Sequence, residues 1–294
     1  MSIVENRYDF VYYFDCQDGN PNGDPDSDNS PRFDPETFQG LVSDVCLKRK
    51  IRDYVAAAKE SQTGFEIFVT SGLTLESQQQ KSYDHLQMKQ EKDNREQIAR
   101  ARQWMCQNFF DVRAFGAVMS TKEFNCGQVR GPLQITFARS VDRVFTTEHG
   151  ITRVAYTKEE KKASTSANTE MGRKHTIAYG LYRAHGFINP VFAKQTGFSE
   201  DDLQLVWKAL ENMFSIDRSA ARGLMAARDL FVFKHNSALG EAPAHKLFDL
   251  VTAKLKDGVV SPRKYTDYDV SSVDTSNLPA GVELLTPFAV SLAA

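Results

Sequence analysis

Residues 111–140, DVRAFGAVMSTKEFNCGQVRGPLQITFARS, form the stretch around which the rest of the fold is organised. Two short β-type runs, 112–119 and 133–138, flank a polar turn. In the second run apolar and polar residues alternate, which is typical of a half-buried strand. The stretch therefore predicts two neighbouring strands.

Glycines and arginines lie side by side in this stretch. Gly116 and Gly131 leave room for the close approach of another backbone or of a ligand. Arg113 and Arg130 supply guanidinium groups, whose geometry suits a phosphate backbone. A hairpin with ordinary surface arginines fits the same residues, so both interpretations stay open from this stretch alone.

The composition bounds the class of protein. With 294 residues, 41% of them hydrophobic and 11% aromatic, the chain can bury one large core or two modest ones. No run has the length of a membrane span and no signal peptide is visible, so we expect a cytoplasmic protein. Four cysteines without a CxxC pair and six scattered histidines indicate reduced thiols and predict no metal or cofactor site.

Charge is segregated along the chain although the net charge is only -2. The first forty residues carry nine acidic groups against only Arg7 and Arg32. Residues 151–190 carry seven cations, among them Arg173 and Lys174, against three glutamates. Because separated charges create local fields that the sum hides, the pattern suits head-to-tail assembly of copies.

The remaining elements follow from periodicity and capping. Residues 8–16 alternate as a central first strand with an aromatic face that we assign to the core. Asp34 followed by Pro35 predicts the start of a helix that ends near residue 59. Ser199 and three acidic residues predict a second helix with one apolar stripe. Short strands are predicted at 65–70, 177–185 and 230–235, and a last helix at Pro243.

Two segments are interpreted as additions to this framework. Residues 75–108 are polar and helical in pattern, which predicts a helical insertion. Residues 146–176 are basic and poor in apolar side chains, which predicts a projecting hairpin or lobe. The whole predicts an α+β domain, ferredoxin-like or RRM-like, with large insertions.

Two charged segments each leave alternatives open. Lys48 and Arg52 lie on one side of the first predicted helix, as either a phosphate rail or a solvated face. Asp24, Asp26 and Asp28 in the loop after the first strand are suited to hold magnesium, but a solvated turn rich in Asp, Asn and Pro is favoured.

Several ordered motifs between residues 8 and 249 resemble a known family. They are NPNGDPD at 20–26, DVRAFGAVM at 111–119, GQVRGPLQITFARS at 127–140, HGFINP and TGFSEDDL within 185–203, and MFSIDRSAARG at 213–223. Together they are similar to the Csd-two group of the Cas-seven superfamily, the repeated backbone subunits of type I-C CRISPR surveillance complexes.

The resemblance implies a non-enzymatic RNA-binding subunit. Such a subunit has an RRM-like palm with finger-like and thumb-like extensions, here 75–108 and 146–176, although the acidic loop is an alternative thumb. It polymerises with further copies of itself along a CRISPR RNA, whose bases pair with target DNA. The implied partners are a Cas-five-family subunit, a large subunit and a small subunit.

The resemblance and the charge pattern together give a set of candidate RNA contacts. These residues are Lys48, Arg49, Arg52, Arg113, Gly116, Arg130, Gly131, Arg173, Lys174, Arg218 and Arg222.

Two other functions are compatible with the sequence. The acidic loop suits a metal-dependent endoribonuclease, because related subunits of type III complexes cut RNA with an aspartate after the first strand. The segregated charge also suits a filament-forming scaffold that is independent of CRISPR RNA.

Overall fold

A computed structural model describes residues 2–60, 62–89, 94–153, 170–271 and 273–288. Its strands are β1 (Tyr8–Gly19), β2 (Gly23–Asp24), β3 (Ser30–Pro31), β4 (Gln39–Val42), β5 (Gly116–Met119), β6 (Gly127–Arg130), β7 (Leu133–Ile135), β8 (Ala138–Arg143), β9 (Thr146–Arg153), β10 (Glu170–Ile188), β11 (Leu224–His235), β12 (Ala253–Leu255), β13 (Tyr268–Val270) and β14 (Val282–Leu285). Its α-helices are α1 (Asp44–Ala58), α2 (Leu75–His85), α3 (Arg95–Asn108), α4 (Phe110–Phe115), α5 (Pro190–Thr196), α6 (Glu200–Ile216) and α7 (Ala244–Phe248).

One antiparallel sheet of eight strands forms the centre of this mixed α/β structure. The order along it is β14-β11-β1-β10-β8-β4, and β7 and β9 pair with further parts of the long β10. The first strand is central, as predicted, because it pairs with β10 on one side and β11 on the other.

Both faces of β1 are buried, each in its own core. The aromatic face that includes Phe10, Tyr12 and Phe14 packs under α1 and α6, which confirms its assignment to the core. Val11 and Tyr13 face a second core that contains α7 and part of the C-terminal segment. Alternation in β1 therefore distributes side chains between two apolar layers.

The helix predicted after Ser199 is confirmed as α6. The Ser199 hydroxyl accepts the Asp202 N–H, and the Asp202 carboxylate accepts the Ser199 N–H, which forms a reciprocal capping box. The apolar stripe, including Val206 and Leu210, is buried in the first core.

All four cysteines are free thiols. None of the described helices combines the length and apolarity needed to cross a membrane.

The predicted start of the first helix is wrong by about ten residues. Asp34 caps a tight turn, since its carboxylate accepts the N–H groups of Glu36 and Thr37. Residues 39–42 then pair with β8, and α1 begins after Ser43, whose hydroxyl accepts the Cys46 N–H. A good local cap signal was thus overridden by strand pairing.

One predicted strand is absent from the described residues, and another is shorter than predicted. Residues 65–70 form only a single bridge between Glu66 and Phe109. The first half of 112–119 belongs to α4, and only residues 116–119 are β-structure. Both segments pack against helices, and their apolar side chains are divided between the first core, which includes Phe115, and a third, smaller core, which includes Phe68 and Val112.

Both segments that the sequence interprets as additions contain regular secondary structure. Residues 75–108 contain α2 and α3, which help to form the third core. The ladder between β9 and β10 runs from Thr146↔Ile177 to Arg153↔Glu170, which makes a long hairpin. Residues 154–169 of this predicted lobe lie outside the described residues. The roles of these segments as finger and thumb stay predictions.

Candidate nucleic-acid interface

The loop between α6 and β11, residues 217–223, packs directly on the end of β1. The Asn20 N–H donates to the Ala221 carbonyl at 2.8 Å. A Cβ on Gly19 would lie 2.1 Å from the Arg222 carbonyl oxygen, and one on Gly223 would lie 2.3 Å from that of Gln17. Gly223 also has a positive φ of 61°. Glycine at both positions therefore lets the two backbones touch.

Ion pairs and hydrogen bonds to carbonyl groups hold this loop in place. Asp217 pairs with the buried Lys50 on α1 and lies 3.6 Å from Arg222 Nε. Arg222 also donates to the carbonyls of Asn20 and Pro21 at 3.3 and 3.1 Å. Lys174 on β10 donates to the Ala220 carbonyl at 2.6 Å.

These contacts bring together three candidates that are far apart in sequence. We call Lys174, Arg218 and Arg222 the loop surface. Arg218 is exposed and pairs with no carboxylate of the described residues. Arg173 is also exposed, but it pairs with Glu148 across the β9–β10 ladder at 3.2 Å. Arg218 is therefore the cation of the loop surface that is most open to an anionic strand, while Lys174 and Arg222 also hold the loop.

The acidic loop after β1 is organised by its own polar contacts. Asp24 caps a short 3₁₀ turn and pairs with Arg32 at 3.2 Å. Asp28 lies 3.6 Å from His175 on β10. Asn22 accepts hydrogen bonds from the N–H and hydroxyl of Ser43. Within the described ranges, no group of three His, Cys, Asp or Glu side chains is placed to hold a metal ion.

The α1 cations are only partly available to a ligand. Lys48 pairs with Asp44 at 3.0 Å and Arg52 with Asp111 at 2.7 Å, and both lie over the Phe115 ring. Their side chains are 14% and 12% exposed. Arg49 is more open, although it donates to the Val69 carbonyl at 2.8 Å. The predicted phosphate rail is thus mostly engaged with the protein itself.

Arg113 is a correction to the predicted set. Its guanidinium forms a bidentate pair with Asp202, with distances of 2.9 and 2.8 Å, and also donates to the Cys106 carbonyl at 2.8 Å. The side chain is 9% exposed. Because its donors are used inside the protein, Arg113 joins α4 to α6 and is not available to a phosphate.

Gly116 and Gly131 are also corrected, because they face each other. A Cβ on Gly131 would lie 2.3 Å from the Gly116 nitrogen, and one on Gly116 would lie 2.5 Å from the Gly131 nitrogen. The close approach that these glycines permit is between two segments of the chain, not between the chain and a ligand. Arg130, next to them, is exposed and lies over the Phe192 ring at 4.6 Å.

Sequence reasoning missed an exposed aromatic pair. Phe33 and Phe38 stack with ring centroids 6.2 Å apart and planes 9° apart. Phe38 has a φ of 60°, a strained conformation for a bulky residue. Beside them Arg139 binds Asp34 at 2.7 Å, which lowers the pKa of that carboxyl. Had the Asp34–Pro35 pair been interpreted as a turn and not as a helix start, the sequence would have predicted that Phe33 and Phe38 lie close together.

Comparisons with known proteins match most of the chain to a single family description. The family model described as CRISPR-associated protein Cas7 matches residues 6–273. A Haloferax volcanii protein described as CRISPR-associated protein Cas7 is 29% identical over 230 residues, which cover 70% of this chain. The matched region spans 65% of the length of that relative.

Solved structures give weaker likenesses. A chain of a CRISPR RNA-guided surveillance complex in a pre-nicking state aligns with a TM-score of 0.48 and 14% identity, over 77% of this chain and 78% of that chain. A chain of a type III-B Cmr-beta complex bound to cognate target RNA aligns with a TM-score of 0.42 and 13% identity, over 77% and 61%.

Proposed function

The chain belongs to the CRISPR-associated Cas7 family, and from this we propose that it is the CRISPR RNA-binding backbone subunit of a type I-C surveillance complex. The family match over residues 6–273 is the observation that carries the proposal. The type I-C assignment rests on the sequence motifs at 20–26, 111–140 and 213–223.

The strand order supports an RRM-like palm. If β1, α1, β8, β10, α6 and β11 are taken as one βαββαβ unit, the ladder β11-β1-β10-β8 places its first and third strands in the middle. Helices α1 and α6 then cover one face together. We take the α2–α3 segment as the finger and the β9–β10 hairpin as the thumb of this palm.

In this proposal the loop surface grips the guide by its phosphates. Arg218 supplies the most open donor, Lys174 and Arg222 lie beside it, and Arg49 and Arg173 are further candidates. Arg130 keeps its place among the candidates, and Lys48 and Arg52 stay candidates that must share their donors with Asp44 and Asp111. Gripping the backbone leaves the bases free to pair with target DNA.

The exposed Phe33–Phe38 pair is a candidate platform for an unstacked base. Aromatic faces bind bases without sequence preference, since every base has a π-face. Arg139 beside the pair adds a cation for the adjoining phosphate. The full assembly in this proposal contains further copies of the chain, a Cas-five-family subunit, a large subunit and a small subunit.

The test is whether the number of copies in the assembly increases with the length of the RNA. The purified chain is mixed with repeat-derived RNAs of increasing length, and particle mass is followed by sedimentation and mass photometry. We expect stepwise growth, one copy per fixed number of nucleotides. Arg218→Glu should shorten the particles, whereas Lys208→Glu, an exposed cation on α6, should leave them unchanged.

Two results would overturn the proposal. A chain that stays a single copy with every RNA, alone and with its presumed partner subunits, is not a backbone subunit. Regularly spaced cuts in a complementary RNA with magnesium, lost in Asp26→Ala, would establish the endoribonuclease instead.

A further inference from the structure

A cleft lies between α3, β6 and α5, away from the loop surface. Its volume is about 490 Å³, within the range of about 300–1,000 Å³ found for small-molecule sites. Its lining residues are Ala99, Arg102, Gln103, Cys106, Gln128, Val129, Arg130, Gln195 and Thr196. None of them is acidic, and none belongs to the loop surface.

Two arginines give the cleft a positive mouth. Arg102 from α3 and Arg130 from β6 are both exposed, and neither pairs with a carboxylate of the described residues. The Arg130 guanidinium lies over the Phe192 ring, 4.6 Å from its centroid, which limits the directions that it can adopt. Guanidinium groups without a carboxylate partner in a concave site favour a phosphate group.

The wall of the cleft contains a buried hydroxyl without a partner. Thr196 is 5% exposed, and its Oγ1 forms no hydrogen bond within the described structure. In a helix a threonine hydroxyl commonly bonds to the carbonyl four residues earlier, here that of Phe192, but this bond is absent. A buried polar group is costly to leave unpaired, so a ligand that enters the cleft and reaches this hydroxyl gains a hydrogen bond that the protein does not supply.

The remaining polar groups suit a heterocyclic base. Gln103, Gln128 and Gln195 are exposed at the cleft, and each amide offers both donors and an acceptor, the combination that pairs with a base edge. Cys106 lies in the wall, where burial raises the pKa of its thiol to about 11. The thiol therefore stays neutral and does not repel an anion.

We propose that this cleft binds a nucleoside phosphate. The phosphate lies between Arg102 and Arg130, the base edge meets the glutamine amides, and Thr196 completes one hydrogen bond. A free nucleotide and a single nucleotide of a strand share this chemistry. The site goes beyond the proposed function, because it binds a nucleotide without assembly along a guide RNA, and it shares only Arg130 with the guide candidates.

Titration of the full-length chain with AMP, inorganic phosphate and a 5′-phosphorylated tetranucleotide, followed by calorimetry, tests the site. We expect AMP to bind at least tenfold more tightly than phosphate. Tighter binding of the tetranucleotide than of AMP identifies a strand as the source of the ligand, and equal binding identifies a free nucleotide.

Variants separate this site from the rest of the protein. Arg102→Gln and Thr196→Val should each weaken AMP binding about fivefold to tenfold, and Thr196→Val should not lower the melting temperature because the hydroxyl has no protein partner. Arg100→Gln is the matched control, since it lies two residues earlier and about 200° around α3. Binding of long guide RNA should be unchanged in all three variants.

Equal affinity for AMP and phosphate would overturn the assignment to a nucleoside phosphate, as would unchanged AMP binding in both cleft variants. The outcome is independent of guide binding. If wild-type chain fails to bind guide RNA but still binds AMP, the proposed function fails and the cleft assignment stands.

Discussion

Arg113 and Arg218 have similar sequence surroundings but opposite physical roles. Each follows an aspartate within two residues and precedes a glycine, in DVRAFG and DRSAARG. Arg113 is buried against Asp202, 89 residues away in the chain, whereas Arg218 is exposed with no carboxylate partner among the described residues. The aspartate that is near in sequence therefore does not decide whether an arginine is available to a ligand. A carboxylate that is distant in sequence but close in the fold decides it.

The neighbouring aspartates themselves are used elsewhere. Asp111 binds Arg52 and accepts the N–H groups of Phe68 and Val69, while Asp217 binds Lys50 from 167 residues away. One region therefore uses its charges to join helices. The other uses one charge to anchor a loop and leaves an arginine on the surface. Substitutions in each of the two regions test this difference.

The largest effect is expected from breaking the buried pair. Arg113→Met leaves the Asp202 carboxylate buried without its cation, so the free energy of unfolding should fall by about 3–5 kcal/mol. Urea unfolding followed by circular dichroism measures it. Arg218→Met is the control and should change stability by no more than about 0.5 kcal/mol. Equal losses in the two variants would contradict the contrast between them.

A smaller loss is expected at the anchor of the exposed loop. Asp217→Asn removes the charge that pairs with Lys50, which is buried beside the Phe214 ring. Leaving that ammonium without a carboxylate should cost about 2 kcal/mol in the same urea measurement. RNA affinity should fall too, because the loop that carries Arg218 loses its anchor.

Asp201→Asn provides the control for the anchor, since Asp201 is exposed in the first turn of α6. It should cost less than about 1 kcal/mol, through the helix dipole alone. If Asp217→Asn is as mild as Asp201→Asn, Lys50 does not need this carboxylate.

The sequence correctly predicts those elements whose secondary structure depends on local periodicity and capping. The first strand and α6 with its Ser199 cap each have an uninterrupted pattern and a matching local signal. Their burial agrees with that pattern, so local preference and tertiary packing act in the same direction.

Long-range pairing explains the errors. The helix start at Asp34 failed because residues 39–42 are held by β8, a hundred residues later in the chain. The roles of Arg113, Gly116 and Gly131 were assigned to a ligand because their protein partners are not visible from neighbouring residues. In the candidate interface, Lys174 and the 217–223 loop meet only because β10 and β11 both pair with β1.

His185 extends the comparison to a cation that can lose its charge. His185 is on β10 and lies beside Phe248 of α7. Burial and the nearby Arg183 lower the pKa of His185 to about 4. The unfolded chain takes up this proton near pH 6.5, before the folded chain does, so stability should be full above that pH and fall as pH drops from 6.5 to 4. After solvent screening we expect a loss of about 1–2 kcal/mol.

Urea unfolding at several pH values measures this effect. His185→Gln should flatten the stability profile between pH 6.5 and 4, whereas His245→Gln, an exposed residue on α7, should leave the slope unchanged. An unaltered slope in His185→Gln would show that other groups cause the acid sensitivity. Unlike Arg113, an interior histidine needs no buried carboxylate because it can stay neutral.

The smallest expected effect lies on the loop surface, where Arg218 is exposed without a carboxylate partner among the described residues and Lys174 donates to the Ala220 carbonyl. Arg218→Gln combined with Lys174→Gln should weaken guide RNA binding by about threefold to tenfold at physiological salt, because two phosphate contacts are lost. The plot of log affinity against log salt should become shallower by about 0.7 per contact for a single strand. Fluorescence anisotropy at four salt concentrations measures both, with Lys208→Gln as the control on α6. A parallel plot with unchanged slope would mean that these cations are solvated and that the guide follows the α1 side of the protein instead.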